Sequence, residues 1–334
     1  MQIVSLVTEY ARQKCFTPEA WTKLEQLGEF RAVGGLLQRG DSPERVAELC
    51  TGAHVLVTGW GSPKITPVIL DQLPQLKMIA HSAGSVASIC YEAWERGIVI
   101  TNVMPIMAMG VAEFTVTCIL NGLRRYEVFI NPTLLDSNPY FSVPKVGFCL
   151  RNKTVGLVGL GIIGREVVKL LSAFGCKLMV HDPFLPAEVA KDLGVTLCDL
   201  DTLMAKSDIV SLHAPGTEAC KDIINEPRLR MLKPGAILVN TARGILIDHD
   251  ALARVAGEGK IGVYLDVTRP EPLPADHPLR QMSNVIITPH VAGPTVEGWA
   301  LMGAGCVADI ERYIKGEKVM YGVTADQYKN QSTT

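Results

Sequence analysis

The chain has 334 residues, a formal net charge of −2 and 48% hydrophobic residues, a length that suits two domains. Its apolar residues come in short runs and no basic region precedes the first run, so we expect neither a transmembrane helix nor a signal peptide. The small net charge gives no reason to expect nucleic acid or a membrane as partner. The nine cysteines lack C-x-x-C spacing, which favours reduced, buried thiols in a cytoplasmic protein and predicts no metal site.

The first hundred residues alternate between apolar strands and helices. Helices are predicted to begin at Thr17, Ser42 and Thr66, because each hydroxyl can cap free N–H groups and a proline follows at the first helical position. A long apolar helix is expected over about 108–125. This alternation indicates a parallel sheet with covered faces. We predict its strands at residues 3–7, 54–58, 78–81 and 99–101.

A second strand–helix series follows a proline-containing stretch, 131–145, which is interpreted as a connecting arm. Six strands are expected, the number in a full dinucleotide-binding sheet. A last helix should end near residue 315, and the polar residues after it, 316–334, should be frayed at the end. We predict the six strands at residues 154–158, 177–181, 209–212, 236–240, 261–267 and 285–288.

A glycine-rich loop opens this second series. Gly159, Gly161 and Gly164 form G-x-G-x-x-G between an apolar strand and an apolar-periodic helix, the arrangement that lets a backbone approach a pyrophosphate. Asp182 ends the next strand, where a carboxylate can accept both ribose hydroxyls and repel the 2′-phosphate of NADP. The motif therefore predicts NAD binding. The alternative is an ordinary strand–turn–helix with a solvent-facing aspartate.

Three polar residues follow later strands, at the sheet edge where such folds bind ligands. Arg243 offers a planar, permanently charged donor for a carboxylate. His290 suits proton transfer near neutral pH, and Glu271 could hold its ring and favour its charged form. Together they would fit reduction of a 2-oxo acid. Taken singly, they could be a surface cation, a turn residue and a loop acid, and their spacing does not show that they converge.

Taken as a set, these motifs resemble the D-isomer-specific 2-hydroxyacid dehydrogenase family. The similarity is tightest over about residues 150–295, and looser in the N-terminal half at 81–84, 97–102 and 111–113. The family's pattern is matched in order by V-G-L-G-I-I-G at 158–164, D-P at 182–183, S-L-H-A-P-G-T at 211–217, L-V-N-T-A-R-G at 238–244, L-D-V at 265–267 with E-P at 271–272, and T-P-H-V-A-G at 288–293.

The resemblance implies an α/β fold of two Rossmann-like domains with parallel sheets. A flavodoxin-like substrate domain, 1–104 completed by a helix at 296–320, would contain an inserted NAD-binding domain at 105–295. A polar tail at 321–334 would follow. Family members are usually homodimers joined through the cofactor domain, so a homodimer is expected.

Roles for individual residues also follow from the resemblance. Arg243 would bind the carboxylate and carbonyl, His290 would be the acid/base, Glu271 its partner, and Asp266 would lie beside the nicotinamide. The substrate would contact Trp60, Ala83, Gly84, Ser85, Arg243 and His290. The cofactor would contact Gly159, Gly161, Ile162, Ile163, Gly164, Asp182, His213, Pro215, Thr217, Thr241, Ala242, Asp266, His290 and Gly293.

The chain departs from the family's pattern at three places. Residues 85–88, S-V-A-S, replace the asparagine-isoleucine-aspartate that often follows the glycine. Cys220 replaces a threonine near the adenosine site, and His249 stands where a glutamate is common. The first two changes affect expected substrate and adenosine contacts, and none affects Arg243, Glu271 or His290.

The loop at 58–64 bears on the substrate. It carries Trp60 and Lys64 but no arginine, whereas phosphoglycerate-using relatives tend to carry arginine there to bind phosphate. Residues 265–279 also resemble a segment of glyoxylate/hydroxypyruvate reductases, so glyoxylate or hydroxypyruvate is the expected substrate. One rival is phosphoglycerate dehydrogenase, although many of those carry a C-terminal regulatory domain. The other is a non-catalytic NAD-sensing corepressor, although neither a peptide-binding extension nor a basic patch is evident.

Overall fold

The structure, a computed structural model, describes residues 1–38, 40–126 and 147–329. The chain divides into two units: unit 1 combines Met1–Met107 with Pro294–Thr334, and unit 2 is Ala108–Gly293. The borders expected from the sequence lie at 104/105 and 295/296, within three residues of these. The predicted connecting arm at 131–145 lies outside the described residues.

Unit 1 contains a five-stranded parallel sheet in the order β2-β1-β3-β4-β5. Four of the strands lie where the sequence predicts them. The fifth, β2, was missed because it is a mostly exposed edge strand, E-F-R-A, without an apolar run. The strands are β1 Gln2–Ser5, β2 Glu29–Ala32, β3 Val55–Thr58, β4 Met78–His81 and β5 Val99–Asn102.

Proline at the first helical position marks three helix starts in unit 1, as predicted. Thr17 and Ser42 accept the N–H groups of Ala20 and Arg45. The predicted cap at Thr66 is wrong: its buried Oγ1 has no hydrogen-bond partner among the described residues. Five helices precede residue 104, and a sixth continues from unit 1 into unit 2. They are α1 Glu9–Cys15, α2 Pro18–Gln26, α3 Pro43–Leu49, α4 Pro67–Asp71, α5 Glu92–Glu95 and α6 Met104–Arg124.

Unit 2 contains a seven-stranded parallel sheet in the order β12-β11-β10-β9-β6-β7-β8. The six predicted strands are confirmed, and the seventh, β8, is a two-residue edge strand too short to show a pattern. Strand order reverses between β6 and β9, which is where ligands bind in open α/β sheets. The strands are β6 Thr154–Val158, β7 Lys177–His181, β8 Thr196–Leu197, β9 Ile209–Leu212, β10 Ile237–Asn240, β11 Gly262–Leu265 and β12 Val285–Ile287.

Each face of this sheet is covered by its own core. Leu238 of β10 belongs to one apolar cluster, and its neighbours Ile237 and Val239 belong to the other, because successive strand residues point to opposite faces. The helices of unit 2 that follow β6 are α7 Ile162–Ser172, α8 Ala187–Asp192, α9 Leu200–Lys206, α10 Glu226–Arg230 and α11 His249–Ala256.

Helix α6 is the one helix, in the ranges that the structure describes, long and apolar enough to cross a membrane, and half of its apolar window is buried. Val116, Ile119 and Leu123 pack in the same cluster as Val155 and Leu157 of β6. This is the packing of a core helix.

The C-terminal segment returns to unit 1 as α12 Val296–Ile314 and α13 Ala325–Lys329. The polar segment after α12 makes contacts within unit 1 up to α13, and the predicted fraying at its end falls on residues 330–334, outside the described residues. Asp309 of α12 is fully buried and accepts the N–H groups of Met320 and Tyr321 at 2.6 and 2.9 Å. Trp94 donates its indole N–H to Val323 O, and its ring packs against Tyr328.

Candidate active site

The glycine loop after β6 has a backbone in which side chains at Gly159 and Gly164 would collide with neighbouring atoms. Gly159 has φ +91°, and a Cβ there would lie 2.7 Å from Ala214 N. A Cβ on Gly161 would meet nothing within 4 Å, whereas one on Gly164 would lie 2.8 Å from Gly159 O. Gly161 precedes α7 without a side-chain cap, so the N-terminus of α7 keeps its partial positive charge for an anion. The loop fits a pyrophosphate.

Asp182 lies directly after β7 and joins that strand to the glycine loop. Its Oδ2 accepts Leu160 N–H at 2.8 Å, and its Oδ1 accepts Phe184 N–H at 2.9 Å. Each carboxylate oxygen can accept a second hydrogen bond, so these contacts hold the carboxylate in place and leave capacity for ribose hydroxyls. The adjoining Ile162 and Ile163 open α7, as predicted.

The other predicted cofactor residues follow the strands next to β6. His213 comes after β9; its Nε2 contacts Ser211 Oγ at 2.9 Å, and burial lowers the pKa of His213 to about 4. Its buried Nδ1 has no hydrogen-bond partner within the described part of the chain. Pro215 O accepts Thr217 N–H in a turn. All of these residues lie in unit 2.

Thr241 and Ala242 form the turn between β10 and Arg243. Asn240, which the sequence reasoning missed, shapes this turn by accepting Ala242 N–H at 3.0 Å and donating to Arg243 O at 3.0 Å. Thr241 Oγ1 contacts Thr115 Oγ1 of α6 at 2.7 Å. The buried asparagine at the strand end was the signal that could have revealed its role.

Arg243, Glu271 and His290 follow the adjacent strands β10, β11 and β12, and the structure brings them together. His290 Nδ1 lies 2.6 Å from Glu271 Oε1, with both side chains partly exposed. Both residues line a cavity of about 560 Å³. Burial lowers the pKa of Arg243, and the nearby Glu271 carboxylate opposes that shift. One guanidinium N–H donates to Ala242 O at 2.7 Å.

Asp266 fixes the backbone around His290. It is 3% exposed, and its carboxylate accepts hydrogen bonds from Thr288 Oγ1 at 2.6 Å and from the N–H groups of Val291 and Ala292, both at 2.8 Å. His290 itself has φ +54°, an uncommon conformation for a residue other than glycine. The carboxylate therefore holds the turn that carries His290, while Gly293 ends unit 2.

The predicted substrate residues of unit 1 follow β3 and β4. Trp60 is 39% exposed and packs against Trp299, with ring centroids 5.0 Å apart. Ala83 O accepts Val103 N–H, Gly84 O accepts an amide N–H of Asn102 at 2.6 Å, and Ser85 Oγ accepts Ala87 N–H. These contacts order the Ala83–Ser85 loop, whose contact with substrate remains a prediction.

His81 supports the same loop and was not predicted as a site residue. Its Nδ1 lies 2.8 Å from Thr58 Oγ1, and Ser82 Oγ donates to Thr58 O. Burial lowers the pKa of His81 to about 4, although a hydrogen bond to the Ser85 backbone opposes the shift. A neutral imidazole thus joins the segments after β3 and β4. In the sequence, the feature that could have revealed this role is a histidine at the end of an apolar strand, which the structure shows to be fully buried.

Comparison with known proteins places this geometry in a family. A family model described as the NAD binding domain of D-isomer specific 2-hydroxyacid dehydrogenase matches residues 138–292. The glyoxylate reductase of Thermofilum pendens is 40% identical over 262 residues, 76% of this chain and 76% of that protein. The chain belongs to the D-isomer-specific 2-hydroxyacid dehydrogenase family. The predicted family, enzyme class and NAD cofactor are therefore confirmed.

This dehydrogenase is also similar to a second curated relative and to a solved structure. The D-3-phosphoglycerate dehydrogenase of Methanocaldococcus jannaschii is 35% identical over 297 residues, 88% of this chain but 55% of that protein. The NAD-complexed D-isomer specific 2-hydroxyacid dehydrogenase of Lactobacillus delbrueckii ssp. bulgaricus is 27% identical with a TM-score of 0.77, and the match covers 97% of this chain and all of that one. The α/β fold with two parallel-sheet units is confirmed.

The dehydrogenase should lose its preference for NADH over NADPH when Asp182 is replaced by alanine. A charge-assisted hydrogen bond contributes about 1.5–3 kcal/mol, so the ratio of kcat/KM for the two cofactors should shift by about 10- to 100-fold toward NADPH. Asp192→Ala, which changes an exposed acid at the end of α8, is the matched control. Initial rates with each cofactor measure the ratio, and an unchanged ratio in the Asp182 variant would contradict the assignment.

Proposed function

We propose that this enzyme reduces a small unphosphorylated 2-oxo acid, glyoxylate or hydroxypyruvate, at C2 to the D-2-hydroxy acid. The observation that carries the chemistry is the 2.6 Å contact between His290 and Glu271 beside the partly buried guanidinium of Arg243. An acid, its carboxylate partner and a carboxylate-binding cation are what 2-oxo acid reduction needs.

Each residue of this group has a separate task. Bound NADH supplies the hydride that reaches C2. Arg243 binds the substrate carboxylate and orients the carbonyl. His290 keeps Nδ1–H toward Glu271, which leaves Nε2 to donate the proton that the carbonyl oxygen needs as it gains negative charge. Glu271 holds the imidazole ring in place through the contact at Nδ1.

The same residues can catalyse the reverse reaction, oxidation of the 2-hydroxy acid, when His290 starts in its neutral form. Oxidation of a 2-hydroxy acid needs neutral His290 to accept the hydroxyl proton, whereas reduction needs the imidazolium. Both directions therefore depend on the same imidazole nitrogen, Nε2 of His290.

The choice of an unphosphorylated acid rests on unit 1 and on the relatives. Lys64 is the one cation in the loop at 58–64, where Trp60 packs against Trp299. An ammonium is a point charge without the bidentate fit of an arginine for phosphate. The relatives from Thermofilum pendens and Aeropyrum pernix, 40% and 34% identical, are both named glyoxylate reductase.

Phosphoglycerate oxidation remains the second candidate, because the Methanocaldococcus jannaschii relative of that name matches 88% of this chain. NADH oxidation with glyoxylate, hydroxypyruvate and 3-phosphohydroxypyruvate separates the two candidates. We expect kcat/KM at least about tenfold higher for an unphosphorylated acid, and Trp60→Arg should narrow that gap. A clear preference of the unmodified enzyme for the phosphorylated acid would refute the proposal.

We also propose that the enzyme is a cytoplasmic homodimer joined through unit 2. The family resemblance supports the dimer, and nine free cysteines support a reducing compartment. Light scattering after size exclusion, at micromolar concentration, measures the mass directly. A monomer would contradict the assembly and leave the proposed chemistry untouched.

A further inference from the structure

His249 occupies a position that connects the segment after Arg243 to the loop carrying Glu271. It is the first residue of α11 and is 4% exposed. Its Nδ1 lies 3.0 Å from Ile247 O, and its Nε2 accepts Arg269 N–H at 3.4 Å. Arg269 precedes Glu271 by two residues, so the ring contacts both segments that carry the proposed active-site charges.

These two contacts define one protonation state. A carbonyl oxygen only accepts and a backbone N–H only donates, so Nδ1 must carry the proton and Nε2 must carry none. Burial is the main reason that the pKa of His249 is lowered, and the charge of Arg269 lowers it further. A second proton on Nε2 would face the Arg269 N–H and remove that acceptor.

The loop from Thr268 to Glu271 is compact, so displacement of Arg269 would reach Glu271. Thr268 Oγ1 donates to Pro270 O at 2.8 Å, and Thr268 N–H points to Glu271 Oε2 at 3.5 Å. The same loop lies directly on Gly244, where a Cβ would come within 2.8 Å of Arg269 N. The segment that follows Arg243 and the loop that carries Glu271 are therefore in direct contact.

The charged surroundings of His249 oppose its protonation on balance. Arg269 and His277 lower its pKa, whereas Asp222 raises it, and Asp222 is itself paired with the Arg269 guanidinium at 2.5 Å. On its own helix segment, Asp248 accepts Ala251 N–H, and Asp250 faces His277 at 3.8 Å. The acidic neighbours are thus already engaged with other partners.

We propose that neutral His249 is a positioning residue, which holds the Glu271 loop against the Arg243 segment and sets the acid limb of the pH–rate profile. This inference rests on the proposed roles of Glu271 and His290. Protonation of His249, as pH falls through its lowered pKa, removes the Nε2 acceptor of Arg269 N–H and releases the loop.

The test compares kcat for 2-oxo acid reduction at saturating NADH across pH in three variants. His249→Gln keeps an amide acceptor for Arg269 N–H and does not titrate, so kcat near neutral pH should stay within about twofold and the acid limb should move to lower pH. His249→Leu removes the acceptor at every pH, so it should lower kcat roughly tenfold near neutral pH, with NADH affinity unchanged, and it should show no acid limb because the wild type loses the same contact there. His54→Gln, in unit 1, is the matched control and should reproduce the wild-type profile.

Glu271 and His290 are unchanged in all three variants, so their own contributions to the profile cancel. A wild-type profile without an acid limb, or a limb that His249→Gln leaves in place, overturns the proposal. So does full activity of a folded His249→Leu protein, and if that variant fails to fold, the glutamine variant decides. Failure of the proposed function is different: it would show as turnover that survives His290→Ala.

Discussion

Replacing His290 with alanine is expected to lower kcat for reduction by ~10²–10⁴-fold, the usual contribution of a positioned acid. The 2.6 Å contact with Glu271 supplies the orientation and charge that make this imidazole an effective donor. NADH affinity should stay near normal, because the glycine loop and Asp182 belong to other segments. Stopped-flow turnover and NADH fluorescence titration measure the two quantities separately.

The reverse reaction gives this prediction a second readout. Oxidation of the 2-hydroxy acid should also fall in the alanine variant, because the same imidazole nitrogen accepts the proton in that direction. His54→Gln is a suitable control, since His54 lies in unit 1, where its Nδ1 accepts Gln2 N–H. Full turnover by the His290 variant would refute its role as the acid.

Replacing Arg243 with alanine should lower kcat/KM for the 2-oxo acid by about 30- to 5,000-fold, since truncating one partner of a desolvated charge pair costs about 2–5 kcal/mol. The guanidinium is partly buried and is fixed by a hydrogen bond to Ala242 O, so its orientation is already set before substrate arrives. Arg243→Lys should recover little of the loss, because a lysine keeps the charge but not the planar fork.

Two controls separate binding from general damage. Arg254→Ala removes an exposed arginine of α11 that pairs with Glu226, and it should leave kcat/KM within about twofold. Added guanidinium ion should partly restore the Arg243→Ala enzyme. An Arg243→Ala protein with wild-type kcat/KM would rule out the carboxylate-binding role.

The strands of unit 2 were predictable because each is a short apolar run between turn residues, and all six predicted runs are strands. The edge strands β2 and β8 were not, since an exposed strand such as Glu29–Ala32 carries no apolar signal. The contacts of the segment after α12 could not be predicted for a related reason. Its residues are polar and carry no apolar pattern, and its contacts with Asp309 and Trp94 depend on distant parts of the chain.

The sequence allowed the active-site residues to be chosen by type, but it did not show that they meet in space. Arg243, Glu271 and His290 meet because β10, β11 and β12 are neighbours in the sheet, and strand order is a long-range property that spacing does not encode. Asp266 was predicted beside the nicotinamide; the structure shows that its carboxylate binds the backbone N–H groups of Val291 and Ala292. The supporting histidines were not predictable as such, because His81 acts through a contact to Thr58 Oγ1 and His249 acts through contacts to the backbone of Ile247 and Arg269, all of which depend on the folded structure.

Unit 1 is assembled from two stretches of chain with the whole of unit 2 between them. Met302 and Val307 of α12 pack against Ile3, Val55 and Val57 of its sheet. During translation the ribosome releases that sheet first, and at typical synthesis speeds its partner helix emerges roughly 10–40 s later. Until then the nascent chain carries an uncovered apolar face, so rapid overproduction should favour aggregates and slower synthesis should favour native enzyme.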